Sequence, residues 1–478
     1  MRARKTTPSD IRAIIISPTR ELAEQIGEEA RKLTRNTKII VQTAVGGTQK
    51  NLMLKKTQAE GCHVLVGTPG RLQDILGDQY SGVEAPKLAA FVLDEADRLL
   101  DQGFLPAIEE IQSMLPDPTR QPRQTMMFSA TISQEVVQLV QQMLNPGFQF
   151  VRCVSQDEVP THEMVTQKVV HVHAFENILP ALLELCQREV EAAQTDNGKP
   201  FKAIVFFNST AEVTLAASVF RNLRSNDLRH PLHPARILEI HSKLTQGQRT
   251  RTSDNFRRAS SAILFSSDVT ARGMDFPNVT HVIQIGVPQN REAYIHRIGR
   301  TARAGKEGQG WLFLSRLEVA EANYRLRNLP LKMDRSLNAA SVDMTKPAQL
   351  ATNTATILTN ISEAHKLVDR GDHFKVYLAM LGVFQWLPSK HTLVEAMNRL
   401  SHFGWGLQSP PEVPSALARR LRLDRIDGVN ISNRFTSTDS LNGRPRSFGG
   451  FSPRSSGYSR GVDQRWDSQR SKPKWMNV

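Results

Sequence analysis

Phe91-Val92-Leu93-Asp94-Glu95-Ala96-Asp97 places an apolar strand directly before an acidic group. In open α/β folds ligands bind outside the C-terminal ends of the strands, so this block predicts a parallel sheet and a site at its edge. Asp94 could hold Mg²⁺ on a nucleoside triphosphate, and Glu95 could orient or deprotonate a water attacking the γ-phosphate. Acidic residues also open many helices, and taken alone the block leaves both readings open.

Working outward, short apolar runs alternate with longer amphipathic stretches. The first series of expected strands is Ile11–Ser17, Ile39–Val45, His63–Gly67, Ala89–Asp94 and Gln124–Ser129. The second is Ala203–Phe207, Arg236–Ile240, Ala262–Ser266, His281–Ile285 and Trp311–Leu314. Most are continuous apolar runs, as strands covered on both faces should be. Helices are expected at Arg20–Thr34, Ser133–Leu144 and Ala211–Arg224, which makes two doubly wound α/β domains. Cys153–Gln194 joins them or opens the second. His171 and His173 read as strand residues rather than metal ligands.

After about Pro330 the pattern turns helical, with Leu350–Leu367, Lys375–Trp386 and His391–His402 as the expected helices. From Arg434 onward Ser, Gly, Arg and Asn dominate, with nine basic residues between Arg434 and Lys474 against Asp439, Asp463 and Asp467. Such a segment is expected to be disordered, because it cannot bury enough apolar surface to order itself. The expected divisions are therefore 1–152, 153–335, a helical extension over 336–430 and a basic tail over 431–478.

The 478 residues carry 61 Lys and Arg against 47 Asp and Glu, a net charge of +14. That balance points to a polyanion, with nucleic acid first and an anionic membrane surface second. No apolar run approaches the roughly 18–20 residues of a membrane span. Cys62, Cys153 and Cys186 lie far apart and form no C-x-x-C pair, which excludes a zinc cluster or disulfide framework and predicts buried thiols in a reducing interior. Met1–Asp10 lacks the apolar core of a secretory signal, although Arg2, Arg4 and Lys5 are compatible with a fragment of a mitochondrial transit peptide.

Other blocks carry weaker signals. Tyr294–Arg303, if helical, puts His296, Arg300 and Arg303 on one face at i, i+4 and i+7, with Arg297 about 100° away. Cationic groups on one face repel unless an anion faces them; a γ-phosphate would fit, with arginine fingers, and a solvated basic face is the ordinary alternative. Thr68-Pro69-Gly70-Arg71 and Pro18-Thr19-Arg20-Glu21-Leu22 read as helix starts whose free amides suit a phosphate. Gly46-Gly47 permits close backbone approach. Ser129-Ala130-Thr131 closes a strand with hydroxyls.

Together these blocks occur in one order: PTRELA at 18–23, Gly46-Gly47, TPGR at 68–71, DEAD at 94–97, SAT at 129–131, Gln246-x-x-Arg249, SSDVTARGMD at 266–275 and YIHRIGRTARAG at 294–305. The set closely resembles the DEAD-box RNA helicases over about residues 11–330. The resemblance implies two RecA-like doubly wound parallel-sheet domains closing over ATP and single-stranded RNA. It implies that Asp94 binds Mg²⁺, that Glu95 activates water, and that Asp94, Asp97, Asp275, Arg300 and Arg303 surround the nucleotide. His296 would face the DEAD residues across the cleft. Ser129, Thr131, Gln246 and Arg249 would couple the domains. Thr19, Arg20, Gly46, Gly47, Thr68, Arg71, Ser267 and Arg272 would line the RNA path, with Asn208 and Ser209 as further candidates for RNA or interdomain contacts.

ARGMDFPNV at 271–279, QIGVP at 284–288, the helical extension and the Arg/Ser/Gly tail further resemble the fungal mitochondrial DEAD-box RNA chaperones that assist intron folding. That resemblance implies a mitochondrial matrix location, with nucleus or cytoplasm as the alternatives, and a monomer that bends and tethers RNA. The family's adenine-reading Q motif and G-x-x-x-x-G-K-[ST] loop should precede PTRELA, and none of the 17 residues before Pro18 supplies them. A first domain truncated at its N-terminus is therefore expected, with a non-catalytic RNA-binding or annealing protein as the alternative function.

Overall fold

The computed structural model describes residues 10–432 except 48, 132–133, 146, 152–164, 196–198, 225–229, 271–273 and 304–305. Arg272, Cys153, the first nine residues and the tail from 433 onward lie outside the described residues.

The first sheet has the order β2-β3-β1-β4-β5, from β1 (Ala13–Ile16), β2 (Val41–Ala44), β3 (Val64–Gly67), β4 (Ala90–Leu93) and β5 (Gln124–Met127). All its pairs are parallel, and Ile16 is level with both Gly67 and Leu93, while Leu93 is level with Met127. The strands therefore end along one rim, and the residues that follow each strand meet there. Ile14, Ile16, Leu65, Phe91 and Leu93 form the core with Leu72, Ile75, Ile108 and Ile111 from the covering helices.

The second sheet comprises β6 (Val165–Val172), β7 (Lys202–Phe206), β8 (Arg236–Ile240), β9 (Ala262–Ser266), β10 (His281–Ile285), β11 (Gly308–Ser315) and β12 (Lys332–Met333). Its order is β12-β6-β11-β10-β7-β9-β8, again all parallel. The three wholly buried strands β7, β9 and β10 sit centrally, and the half-buried β8 lies at an edge. Two doubly wound parallel-sheet domains are thus present, as expected.

Three strands of the second sheet depart from expectation, the short β12 falling where the pattern was read as turning helical. β6 was given no bounds of its own within the segment that joins the domains or opens the second, although His171 was read as a strand residue, because Gln167 and Lys168 interrupt its apolar run; Gln167 is buried and accepts a hydrogen bond from the Tyr294 hydroxyl at 2.9 Å. β11 begins at Gly308, three residues before the expected Trp311. A Cβ on Gly310 would lie 2.3 Å from Ile298 Cδ1, so that glycine lets the helix Arg291–Ile298 lie against the strand.

The helices Thr352–Lys366, Arg370–Val383 and Lys390–Arg399 build the region after the second sheet. Their Ile357, Ile361, Val376, Met380 and Leu393 share one core with Leu182, Leu215 and Phe220 of the second domain's helices. Cys62 and Cys186 are buried free thiols, and burial pushes the Cys62 pKa up to about 12, which keeps it protonated and inert. Among the described residues no helix is long and apolar enough to cross a membrane.

Candidate nucleotide and RNA interface

β4 delivers Asp94 to the rim, where its N–H donates to Ile16 O at 2.9 Å. Glu95 takes a left-handed conformation (φ 47°), a conformation costly for a residue with a Cβ, and occupies the cap position of the helix Ala96–Asp101. Its side chain makes no capping hydrogen bond. Helix capping therefore does not account for the acidic group. Instead the Glu95 N–H donates to Asp94 Oδ1 at 3.0 Å and turns the chain. Burial, followed by the neighbouring Asp97, raises the Asp94 pKa, and no cation is among the groups acting on it. A bound cation would relieve that penalty.

Asp97 is buried and meets the second domain. Its Oδ2 lies 3.2 Å from His296 Nε2 and accepts from Thr131 Oγ1 at 3.1 Å. The Ser129 hydroxyl donates to Thr131 O at 2.7 Å and shapes the turn that presents Thr131.

The arginines correct a sequence expectation. The helix carrying His296 ends at Ile298, so Arg300 and Arg303 do not extend its face. They fold back past its end instead. Arg300 donates to Met274 O at 2.7 Å and to His296 O at 3.3 Å, and Arg303 donates to Gly299 O at 3.1 Å and pairs with Asp275. Burial pulls the Arg300 pKa down to about 9, with Arg303 adding repulsion and Glu95 and Asp275 opposing it. Arg300 thus remains cationic at neutral pH in a poorly hydrated cleft, a setting that favours an anionic ligand.

On the other part of the rim, Thr19 caps the helix Arg20–Leu33 by accepting from Leu22 N at 3.3 Å. Thr68 occupies the cap position of the helix Pro69–Leu76 without a side-chain capping bond, and Arg71 Nε lies 3.7 Å from Asp74. Gly47 has φ +79°, and a Cβ there would sit 2.5 Å from Arg20 Nη1; one on Gly46 would sit 2.9 Å from Arg20 Nη2. The two glycines make room for the Arg20 guanidinium.

Gln246 of the second domain approaches the same place, 3.6 Å from that Gly47 Cβ position. Its Nε2 donates to Glu21 Oε1 at 3.2 Å, and Arg249 Nη2 reaches the same oxygen at 2.6 Å. Asp275 N donates to Gln25 Oε1 at 3.1 Å, and Arg98 Nη2 donates to Asp268 O at 3.1 Å. Sequence reasoning assigned no role to Glu21, Gln25, Arg98, Asp268 or Arg297. The available signal was the i, i+4 spacing of Glu21 and Gln25 on one helix face. Asn208 and Ser209 are engaged inside the second domain, Asn208 with Val287 O and Arg297, Ser209 with Glu212. Ser267 bonds through its N–H to Ile240 O at 3.4 Å.

Residues 2–140 match the DEAD/DEAH box helicase family model and residues 180–305 the helicase conserved C-terminal domain. The chain is 52% identical over 453 residues to the mitochondrial ATP-dependent RNA helicase mss116 of Aspergillus fumigatus, covering 94% of this chain and 69% of that protein. The chain belongs to the DEAD-box RNA helicases. It is 48% identical over 457 residues to the mitochondrial ATP-dependent RNA helicase cyt-19 of Neurospora crassa, covering 94% of this chain and 71% of that one. Mss116p bound to single-stranded RNA and AMP-PNP has a similar fold, with a TM-score of 0.72 and 28% identity over 87% of this chain and 80% of that chain. DEAD-box helicases use ATP, and in this cleft first-domain carboxylates face second-domain cationic groups, Asp97 meeting His296 and Glu95 acting on Arg300. Among the described residues no three metal-ligating side chains cluster.

Proposed function

We propose that this DEAD-box helicase closes its two domains over ATP and single-stranded RNA, separates short duplexes by bending one strand, and resets on hydrolysis. The observation that carries the reading is the meeting of the DEAD residues with the second domain, Asp97 at His296 and Glu95 acting on Arg300. Asp94 would hold Mg²⁺, which supplies charge neutralisation on the phosphates. Glu95 orients and deprotonates the attacking water. Arg300 and Arg303 stabilise the charge that develops on the transferred group. Asp97 and Asp275 position the nucleotide, and Thr131 and Ser129 link its state to closure through the His296 bridge. Gln246 and Arg249 close the other end of the interface.

The RNA path runs over Thr19, Arg20, Gly46, Gly47, Thr68 and Arg71, with Ser267 and Arg272 from the second domain. These groups read the backbone, so binding weakens with salt and carries little base preference. The helical extension bends the RNA and the basic tail tethers it. Mitochondrial relatives support a mitochondrial location, and the proposal extends to a monomer of the matrix acting in intron splicing.

Strand separation of a short RNA duplex tests the reading. Displacement that needs ATP and stops with AMP-PNP after one round is expected. Equal binding and annealing with or without ATP would overturn it in favour of a non-catalytic RNA-binding protein.

A further inference from the structure

Asp97 and Arg98 are neighbours on the short helix after the DEAD strand, and His296 and Arg297 are neighbours on a second-domain helix. The two pairs face each other as two rungs. The first rung is Asp97 to His296 at 3.2 Å. The second runs from Arg98 to Arg297 through Asp268, whose carbonyl accepts from Arg98 Nη2 at 3.1 Å and whose carboxylate accepts from Arg297 Nε at 2.7 Å. Arg297 is fully buried, stacked over Phe206, and donates from Nη2 to Asn208 Oδ1 at 3.2 Å. Burying a guanidinium is costly unless it is paired and hydrogen-bonded. Asp268 supplies that pairing and separates two arginines that would otherwise repel.

From this geometry we infer that Arg98 is a positioning residue for the closed state. It latches the helix that carries Asp97 onto the Asp268 turn, whose carboxylate Arg297 holds from behind while Asn208 holds Arg297. The same loop leads to Ser267 on one side and to Met274 and Asp275 on the other, and Met274 O accepts from Arg300. Because its acceptor is a backbone carbonyl, the contact depends on where that stretch of chain stands. That makes it sensitive to closure. The inference rests on the closing step proposed above.

The test is the closed fraction of the full chain with single-stranded RNA and AMP-PNP. Energy transfer reads it between dyes on Leu33→Cys and Leu367→Cys, exposed positions of the first domain and of the extension, in a Cys153→Ser background. Arg98→Ala is expected to lower the closed-to-open ratio about tenfold, near the worth of one charge-assisted hydrogen bond, without lowering the melting temperature. Arg98→Lys, which keeps one donor, should recover much of it. An Arg98→Ala chain that closes as well as the parent, or one whose loss tracks a lower melting temperature, overturns the latch alone. A parent chain that never closes with RNA and nucleotide overturns the latch together with the proposed closing step.

Discussion

Arg249 Nη2 lies 2.6 Å from Glu21 Oε1, with both side chains less than a tenth exposed and each on a different domain. Burial lowers the Arg249 pKa even though Glu21 raises it, so the pair is a desolvated one. Breaking such a pair from one side leaves an uncompensated charge and costs about 3–5 kcal/mol. Arg249→Ala should therefore weaken RNA binding in the presence of nucleotide on the order of a hundredfold. Nucleotide-free binding should change little. Titration of labelled single-stranded RNA with and without AMP-PNP checks this, and equal loss in both would contradict a role in closure.

Thr131 and His296 converge on one oxygen of Asp97. Thr131→Val and His296→Ala should each slow duplex separation by about tenfold, a hydrogen bond of ~1–2 kcal/mol to a charged group. Because they share an acceptor, the double variant should lose less than the product of the two. Unwinding rates of the four proteins measure the coupling.

Gly47 needs its left-handed conformation and sits against Arg20. Gly47→Ala should cost about 1 kcal/mol in stability and displace the guanidinium. RNA affinity should fall at low salt, and the slope of log affinity against log salt should drop by about one contact. An unchanged slope would remove Arg20 from the RNA path.

The second domain and the helical extension carry opposed pH dependences. Glu212 lies half-buried beside Ser209, Glu318 and Arg297, and loss of solvent around its carboxyl raises its pKa from 4.5 to about 7. The folded state thus holds a proton that the unfolded state has lost between those values. Stability from this group falls as pH rises from about 4.5 to 7, by about 3 kcal/mol in full. Glu212→Gln should raise the melting temperature at pH 8 and leave it unchanged at pH 4. His365, 2.9 Å from His373, has its pKa pulled from 6.5 down to about 3 by burial, with His373 adding repulsion. Here the unfolded state binds the extra proton, so stability is lost as pH falls below about 6.5. Hydrogen exchange over Thr352–Lys366 and Arg370–Val383 at pH 5 and pH 7.5 should show the extension loosening at the lower pH.

The central strands were legible in the sequence because burial on both faces leaves an unbroken apolar run, as in Ala262–Ser266 and His281–Ile285. β6 was not, since its buried Gln167 is satisfied by Tyr294, more than a hundred residues away. The site motifs announced themselves individually, and their common rim follows from parallel strands ending level with one another. The helix end at Ile298 was not legible. Gly299 hinted at a break, but the bonds that fold Arg300 and Arg303 back go to Met274, Gly299 and Asp275. Glu21, Arg98 and Arg297 were missed for a similar reason: their partners Arg249 and Asp268 are remote in sequence, and charge alone does not reveal which domain answers it.

RNA-stimulated ATP turnover of the Arg300→Ala variant against its parent, both supplied with the family's G-x-x-x-x-G-K-[ST] loop ahead of Pro18-Thr19-Arg20, tests most directly whether one nucleotide site is built from both domains. The account predicts RNA-stimulated turnover in the parent and a fall of at least about a hundredfold in the variant, the scale of a lost arginine finger, with nucleotide-free RNA affinity unchanged. Turnover in Arg300→Ala equal to that of the parent, or a parent whose ATP hydrolysis RNA does not stimulate, would contradict it.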